Sequence, residues 1–202
     1  MAITRDENKI MGVTPADHVP GPKQGDWTYN HYAALPEDGQ RYEIIDGALY
    51  MTPAPNIPHQ EIAGEIFSYL RTYIKSPGLG RVFMSPVDVE LAAGTVVQPD
   101  VVVVLNANIG KITYSHIVGA PDLVVEIASP GTSTYDRHKK YDAYARAGVS
   151  EYWIVDPIAY TVEVLSLDGA SYELVGIFKG QETLLSKIVP QIAEVPVKQF
   201  FA

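Results

Sequence analysis

Two acidic residues, Asp100 and Glu126, stand where neighbouring strands could bring their carboxylates together. Asp100 precedes a run of aliphatic residues, and Glu126 lies within the next apolar segment. If the two segments form an antiparallel hairpin closed by residues 106 to 120, a turn centred near residue 113 pairs position 100 with position 126. Directly opposed residues in such a ladder are about 4.5–5.5 Å apart. Two carboxylates at that distance repel each other unless a cation or a proton lies between them.

A divalent hard cation fits this pair of carboxylates. Magnesium prefers oxygen ligands, retains several waters and is often held by only one or two carboxylates. The main-chain carbonyl of Ile127, which follows Glu126, could supply a further oxygen. The chain contains no cysteine, so any metal site must use oxygen or imidazole ligands. The residues therefore predict a Mg²⁺ or Mn²⁺ site at Asp100, Glu126 and Ile127.

A basic cluster follows the strand that carries Glu126. Residues 137 to 140 read Arg-His-Lys-Lys and are the only dense group of cations in an acidic chain. A helix predicted over residues 136–147 places Lys139 and Lys140 in its first turns, just beyond the end of that strand. A lysine in this place could polarise an attacking water or neutralise the charge of a transition state. The spacing alone leaves both lysines open.

A second Pro-Asp pair, Pro121-Asp122, stands four residues before Glu126. Residues four apart in a strand are separated by about 13 Å, so Asp122 and Glu126 are too far apart to share one ion. We interpret Asp122 as a residue at the strand entry and Asp100 as the better partner. Each acid also has a structural interpretation: an aspartate after proline is commonly a solvated turn residue. Burying an unpaired glutamate in a Val-rich strand is costly, which favours a site.

The elements that must position these residues are a mixture of strands and helices. Asp46-Gly47 between β-prone flanks predicts a hairpin over residues 41–51. Apolar residues at three-and-four spacing predict an amphipathic helix over residues 59–75. A short helix over residues 28–34 and a C-terminal hairpin over residues 161–178 flank these elements. The other strands are predicted over residues 82–91, 101–105, 122–128 and 152–155. This order is typical of the α/β or α+β class, with a mixed sheet and helices against it.

Composition limits the class of protein further. The chain has 202 residues, of which 47% are hydrophobic and 19% charged, as in a globular domain. We expect one domain over residues 26–202, preceded by a polar tail or arm over residues 1–25, with an apolar tail from residue 184 docked on the core. The net charge of −9 argues against a general nucleic-acid coating protein. No segment has the apolar length of a membrane span or a secretory signal, so we expect a cytoplasmic protein.

The motifs together resemble the PD-(D/E)XK nuclease superfamily and, more narrowly, the Uma family of restriction-endonuclease-like proteins. The resemblance covers roughly residues 26 to 200. It implies a restriction-endonuclease-like mixed β-sheet with an αβββαβ core, flanking helices and added N-terminal and C-terminal hairpins. It also implies metal-dependent hydrolysis of phosphodiester bonds. The stretches that carry the resemblance are residues 42–47 (Tyr-Glu-Ile-Ile-Asp-Gly), 121–130, 134–140 and 148–157.

The resemblance also implies roles for individual residues. Asp100 and Glu126 match the metal-binding acids of the superfamily. Its usual lysine, two residues after the glutamate, is replaced here by Ala128. In the Uma family a lysine on the following helix substitutes for it, and the spacing of that motif selects Lys140, with Lys139 as the next candidate.

Two further residues match family positions. Glu43 lies in the first hairpin and His59 at the start of the first long helix. The resemblance implies that both reach the site. From the residues alone, Glu43 could equally be an exposed hairpin residue, and His59 is more typical of a helix-start residue.

Two classes of function follow from these residues. The first is a Mg²⁺-dependent endonuclease acting on DNA. The second is a catalytically inactive binding or assembly module with the nuclease fold, favoured by the acidic charge and by Ala128. A carboxylate-pair glycosidase is a weaker third class, because nothing else indicates a sugar cleft. We also expect a homodimer, since two DNA strands need two sites, with the C-terminal hairpin and Phe200-Phe201 as the contact.

Overall fold

The computed structural model describes residues 12–129, 135–189 and 195–201, leaving aside the side chains of Asp136 and Arg137. Within this part of the chain, twelve strands form two six-stranded sheets. In chain order the strands are β1 (Thr14–Pro15), β2 (Arg41–Ile45), β3 (Ala48–Thr52), β4 (Gly80–Met84), β5 (Val89–Ala92), β6 (Thr95–Val97), β7 (Val101–Leu105), β8 (Ile117–Val118), β9 (Leu123–Ile127), β10 (Glu151–Asp156), β11 (Thr161–Asp168) and β12 (Ser171–Lys179).

The helical segments are short, and two of the α-helices carry candidate site residues. The α-helices are α1 (Tyr29–Ala33), α2 (Ile57–Leu70) and α3 (Tyr141–Ala147). A π-helical turn, Arg71–Lys75, extends α2, and another, Asp136–Lys140, leads into α3. The 3₁₀ segments are Asn106–Lys111 and Val197–Phe201. No helix within the described ranges is both long and apolar enough to cross a membrane.

The second sheet contains the predicted nuclease core. Its strand order is β12-β11-β10-β9-β7-β4. β4 and β9 both pair antiparallel with β7, and β10 pairs parallel with β9. Taken with the two helices that pack on this sheet, the chain order is α2, β4, β7, β9, α3, β10. The expected αβββαβ arrangement and the mixed α+β class are therefore confirmed.

The first sheet, with the order β1-β3-β2-β6-β5-β8, faces the second across α3. One apolar cluster joins Val97 of the first sheet, Val102 and Val124 of the second, and Ala143 of α3. A separate cluster packs α2 and the C-terminal segment on the opposite face of the second sheet. The helix α3 thus lies between the two sheets, where residues from both can reach it.

The strand predicted over residues 82–91 is wrong as a single element. Residues up to Met84 belong to β4 in the second sheet, and residues from Val89 belong to β5 in the first. The chain crosses between the sheets at Ser85-Pro86. Proline lacks the backbone N–H that a ladder needs, and this is where the pairing ends.

The N-terminal hairpin forms as its sequence predicts. Asp46 and Gly47 have φ values of 52° and 72°, the two positive angles of a type I′ turn between β2 and β3. A Cβ on Gly47 would clash with the carbonyl of Gly25, whose own N–H donates to Gly47 O at 2.8 Å. The later part of the predicted N-terminal arm therefore packs closely on the first sheet, where β1 also pairs with β3.

The helix α2 begins two residues earlier than predicted, because Asn56 caps it. The Asn56 side chain accepts a hydrogen bond from His59 N at 2.9 Å. This cap fixes His59 in the first helical turn. Further along, Ile66 and Leu70 are fully buried on the core side of the helix.

The C-terminal segment docks on α2, as its apolar composition predicts. Phe200 is 2% exposed, and its ring lies 5.1 Å from that of Tyr69. Because Phe200 is buried inside the protomer, it is not available for the dimer contact that we expected from Phe200-Phe201.

Candidate active site

The pairing of β7 with β9 brings position 100 opposite position 126. Val101 pairs with Val125 and Val102 with Val124, so the next step toward the start of β7 places Asp100 opposite Glu126. Side chains alternate along a strand, and both acids lie on the same face as Val102 and Val124, the face covered by α3. The structure therefore contains the antiparallel register predicted from the turn near residue 113.

Asp100 is held at the end of the ladder through one of its two oxygens. Its side chain is nearly buried, with the residue 6% exposed. Oδ2 accepts a hydrogen bond from Ile127 N at 2.8 Å and lies 3.1 Å from His59 Nε2. Oδ1 accepts no hydrogen bond from the residues that the structure describes. This oxygen is therefore the one left for a ligand.

Lys140 joins two buried glutamates that come from different sheets. Its Nζ donates to Glu126 Oε1 at 2.9 Å and lies 2.9 Å from Glu43 Oε1. Lys139 does not share this position: it is exposed, and its Nζ lies 5.2 Å from the centre of the Tyr50 ring. The geometry thus distinguishes the two lysines that the sequence left open.

Glu43 reaches the cluster from β2 of the first sheet and is 1% exposed. Besides Lys140, its Oε1 accepts a hydrogen bond from Gln98 N at 2.8 Å. Its Oε2 is buried and has no hydrogen-bond partner among the described residues. An unsatisfied buried carboxylate oxygen is costly, so it is found mainly where a ligand or a proton completes the site.

Tyr144 belongs to the same cluster, and the sequence interpretation missed it. Its hydroxyl donates to Glu126 Oε1 at 2.5 Å. Burial and the nearby Glu126 carboxylate raise the pKa of Tyr144 well above its usual value, so the hydroxyl stays protonated and acts as a donor. Tyr144 follows Lys140 by four residues, one helical turn, and that spacing was the available signal.

His59 completes the group from the side of α2. Its Nε2 contacts Asp100, whereas its Nδ1 is buried and has no hydrogen-bond partner within the described part of the chain. Asp122, by contrast, lies outside the group: its two oxygens accept hydrogen bonds from Leu105 N and Asn108 Nδ2, each at 2.7 Å. All five sequence-predicted side chains therefore converge, and the second Pro-Asp pair has the structural role expected of it.

Comparisons with known proteins identify the family and support the fold. The family model Uma2, described as "Putative restriction endonuclease", matches residues 29–198. The chain belongs to the Uma2 family. A crystal structure described as "a putative nuclease belonging to DUF820", from Anabaena variabilis, superposes with a TM-score of 0.72 at 23% sequence identity, covering 87% of this chain and 97% of that chain. That likeness shows the fold. No curated protein matches the sequence.

The donor set of this Uma2-family chain suits a hard divalent cation. Asp100 Oδ1 and the Glu126 carboxylate stand at the same end of the ladder. The N–H and C=O of a residue in an antiparallel strand point to the same side, so the carbonyl of Ile127 faces Asp100 as its N–H does. No group of three or more His, Asp or Glu side chains in the described ranges is arranged to hold a metal. Two carboxylates, one carbonyl and waters form the kind of site that Mg²⁺ accepts.

The charge balance of the cluster also favours a cation. The buried carboxylates of Glu43 and Glu126 share the ammonium of Lys140, and the buried carboxylate of Asp100 lies in the same cluster. Several carboxylates held close together are costly to bury unless they are paired, and a divalent ion would reduce that cost.

Proposed function

We propose that the protein is a metal-dependent endonuclease that hydrolyses phosphodiester bonds of DNA, with Mg²⁺ or Mn²⁺ as the metal. Membership of the Uma2 family supports a nuclease. The observation that carries the proposal is the convergence of Asp100, Glu126 and Lys140 at one end of the β7–β9 ladder, with a carboxylate oxygen left over on Asp100.

In this proposal Asp100, Glu126 and the Ile127 carbonyl hold the metal. A bound divalent ion would supply Lewis-acid polarisation of the phosphate and would lower the pKa of a bound water. His59 keeps the Asp100 carboxylate in place through its contact with Oδ2, which leaves Oδ1 to bind the metal. The ladder itself fixes both acids, which removes most of their freedom before substrate arrives.

Lys140 is the proposed catalytic cation. Its ammonium group is fixed by Glu126 from β9 and by Glu43 from β2, so it cannot swing into solvent. A fixed positive charge beside the reacting phosphate stabilises the charge that develops in the transition state, and it can orient the attacking water. Glu43 acts through Lys140 and is a positioning residue in this account.

A cleavage assay on supercoiled plasmid DNA tests the proposal. The wild-type protein should nick or linearise the plasmid with Mg²⁺ or Mn²⁺ and should do neither in excess chelator. Asp100→Ala should abolish cleavage. Lys140→Ala should reduce cleavage by more than about 100-fold, because each tenfold corresponds to about 1.4 kcal/mol of lost transition-state stabilisation and a fixed charge is worth several kcal/mol.

Lys139→Ala is the matched control, because it removes the same charge from the preceding residue. The Lys139 side chain is exposed and lies over the Tyr50 ring. This variant should cleave at nearly the wild-type rate. If folded wild-type protein binds DNA but cleaves it with neither metal, the alternative of an inactive nuclease-fold module replaces this proposal. Equal rates for Lys140→Ala and wild type would remove Lys140 from the mechanism.

We also propose that the active form is a homodimer, since cutting both strands of a duplex requires two sites. With Phe200 buried, the C-terminal hairpin is the available surface. Leu174 and Ile177 on the edge strand β12 are 57% and 54% exposed. Light scattering at micromolar concentration should give twice the mass of the chain, and Leu174→Lys should return it to a monomer. A monomer for the wild-type protein would contradict the dimer.

A further inference from the structure

Arg41 lies beside the carboxylate cluster with its guanidinium group fixed. It begins β2, two residues before Glu43, so the two side chains project from the same face of that strand. Arg41 is half-buried. Its Nε donates to Gln98 Oε1 at 3.3 Å, and one terminal NH₂ group donates to Ser85 Oγ at 3.0 Å.

Both anchors of Arg41 are next to Asp100. Gln98 precedes Asp100 by two residues, and Ser85 N donates to the main-chain oxygen of Asp100 at 3.0 Å. Gln98 N also donates to Glu43. The guanidinium group is therefore fixed on the residues that flank the proposed metal-binding acid.

Arg41 has no carboxylate partner among the residues that the structure describes. Arg146, in contrast, makes an ion pair with Asp46 at 2.7 Å. Both anchors of Arg41 are neutral, and a guanidinium group has five N–H donors, so donors are left over. A planar guanidinium that is pre-oriented and lacks an anion is well suited to bind a phosphate through two parallel hydrogen bonds.

We propose that Arg41 binds a non-bridging phosphate oxygen of the DNA backbone, at a phosphate adjacent to the bond that is cut. This inference rests on the proposed function. The site carboxylates repel a polyanion, and a fixed cation at their edge reduces that repulsion where the backbone must approach. The Lys140 ammonium is paired with Glu43 and Glu126, whereas Arg41 has no carboxylate partner among the described residues.

Equilibrium binding to a duplex, measured by fluorescence anisotropy with Ca²⁺ in place of Mg²⁺ to hold cleavage off, tests the inference. Arg41→Gln should weaken binding about tenfold, and the slope of log affinity against log salt should fall by about one. Arg71→Gln is the matched control: Arg71 directly follows α2, about 18 Å along the helix from His59, with its guanidinium over the Phe67 ring. It should change affinity less than twofold.

A second experiment tests the same contact with wild-type protein, so it does not depend on whether Arg41→Gln folds. Wild-type protein should lose about tenfold in affinity when one phosphate beside the cleavage site is replaced by a neutral methylphosphonate. Arg41→Lys, which keeps the charge but not the planar fork, should bind with intermediate affinity and an unchanged salt slope. For a folded Arg41→Gln, the same methylphosphonate should cost nothing, because the contact is already lost.

The outcomes separate this inference from the proposed function. If wild-type protein cleaves DNA and folded Arg41→Gln binds as tightly as wild type, the Arg41 contact is overturned and the nuclease stands. The same holds if no methylphosphonate near the cleavage site weakens wild-type binding. If the wild-type protein neither cleaves nor binds DNA, both fail.

Discussion

The two ends of the β7–β9 ladder have the same local structure and different chemistry. At one end Asp100, just before β7, accepts a hydrogen bond from the N–H of Ile127 at the end of β9. At the other end Asp122, just before β9, accepts a hydrogen bond from the N–H of Leu105 at the end of β7. Each aspartate follows a proline and caps the partner strand, so the capping function of Pro-Asp is common to both ends.

The two carboxylates differ in whether the oxygen that does not cap the partner strand has a hydrogen-bond partner. The other oxygen of Asp122 accepts from Asn108 Nδ2, and the register places position 122 opposite Val104. Asp100 keeps Oδ1 without a described partner and lies opposite Glu126, which is bound to Lys140. A carboxylate satisfied by neutral donors in an apolar setting has a structural role. One with an unused oxygen beside a second carboxylate is prepared for a cation.

The largest expected difference between the two ends is in catalysis. Asp100→Asn keeps an oxygen for Ile127 N but removes the charge that holds a cation, so cleavage of plasmid DNA with Mg²⁺ should fall more than about 100-fold. Asp122→Asn makes the same chemical change at the other end and should cleave within about threefold of wild type once corrected for folded protein. Comparable losses in both variants would mean that the two ends are not distinct.

A smaller effect is expected from the hydroxyl that orients Glu126. Tyr144→Phe removes its hydrogen bond to Glu126 Oε1 and should lower the cleavage rate about tenfold, as second-sphere contacts to metal ligands commonly do. Tyr172→Phe is the control, because it also removes one buried hydroxyl, here one that donates to Val149 O. That variant should keep the wild-type rate. Steady-state rates at saturating Mg²⁺ compare the two.

The smallest effect is on stability, and its sign should differ between the ends. Without metal, Asp100→Asn removes one carboxylate charge from the buried cluster with Glu43 and Glu126, and it should raise the free energy of unfolding by about 1 kcal/mol, as substitutions at active sites can. Asp122→Ala leaves Leu105 N and the Asn108 amide without an acceptor and should lower it by about 2 kcal/mol. Urea unfolding in chelator measures both, and a loss of stability in Asp100→Asn would contradict the assignment of that end.

The sequence was sufficient to predict the register of β7 against β9 and most of the site residues. The pairing of position 100 with position 126 followed from the length of the connection, because a ladder advances one residue at a time on each strand. Glu126 stood out because a carboxylate in a run of valines needs a partner. Asp122 was excluded as a metal ligand only because it lies too far along the strand from Glu126. Its hydrogen bonds to Leu105 N and Asn108 agree with a structural role.

The features that the residues alone did not predict depend on contacts between distant parts of the chain. Tyr144 has the pattern of an ordinary core residue on a helix, and only its approach to Glu126 gives it a role. Glu43 was predicted as a site residue through the family resemblance alone; its contact with Lys140 joins two sheets, and the predicted single sheet contained no such arrangement. The division of the predicted strand 82–91 into two strands at Ser85-Pro86 did have a local signal, because proline ends a ladder. The prediction instead followed the alternation of apolar and acidic residues after Pro86.

Direct titration of Mn²⁺ by calorimetry tests the central claim, that the Asp100 end of the ladder is built to hold a divalent ion. Wild-type protein and Asp122→Asn should each bind one Mn²⁺ per chain with similar affinity, and Asp100→Asn should show no binding above the level of a chelator-saturated blank. If Asp100→Asn binds Mn²⁺ as wild type does, or if Asp122→Asn alone loses the ion, the metal site does not lie at Asp100 and the account is wrong.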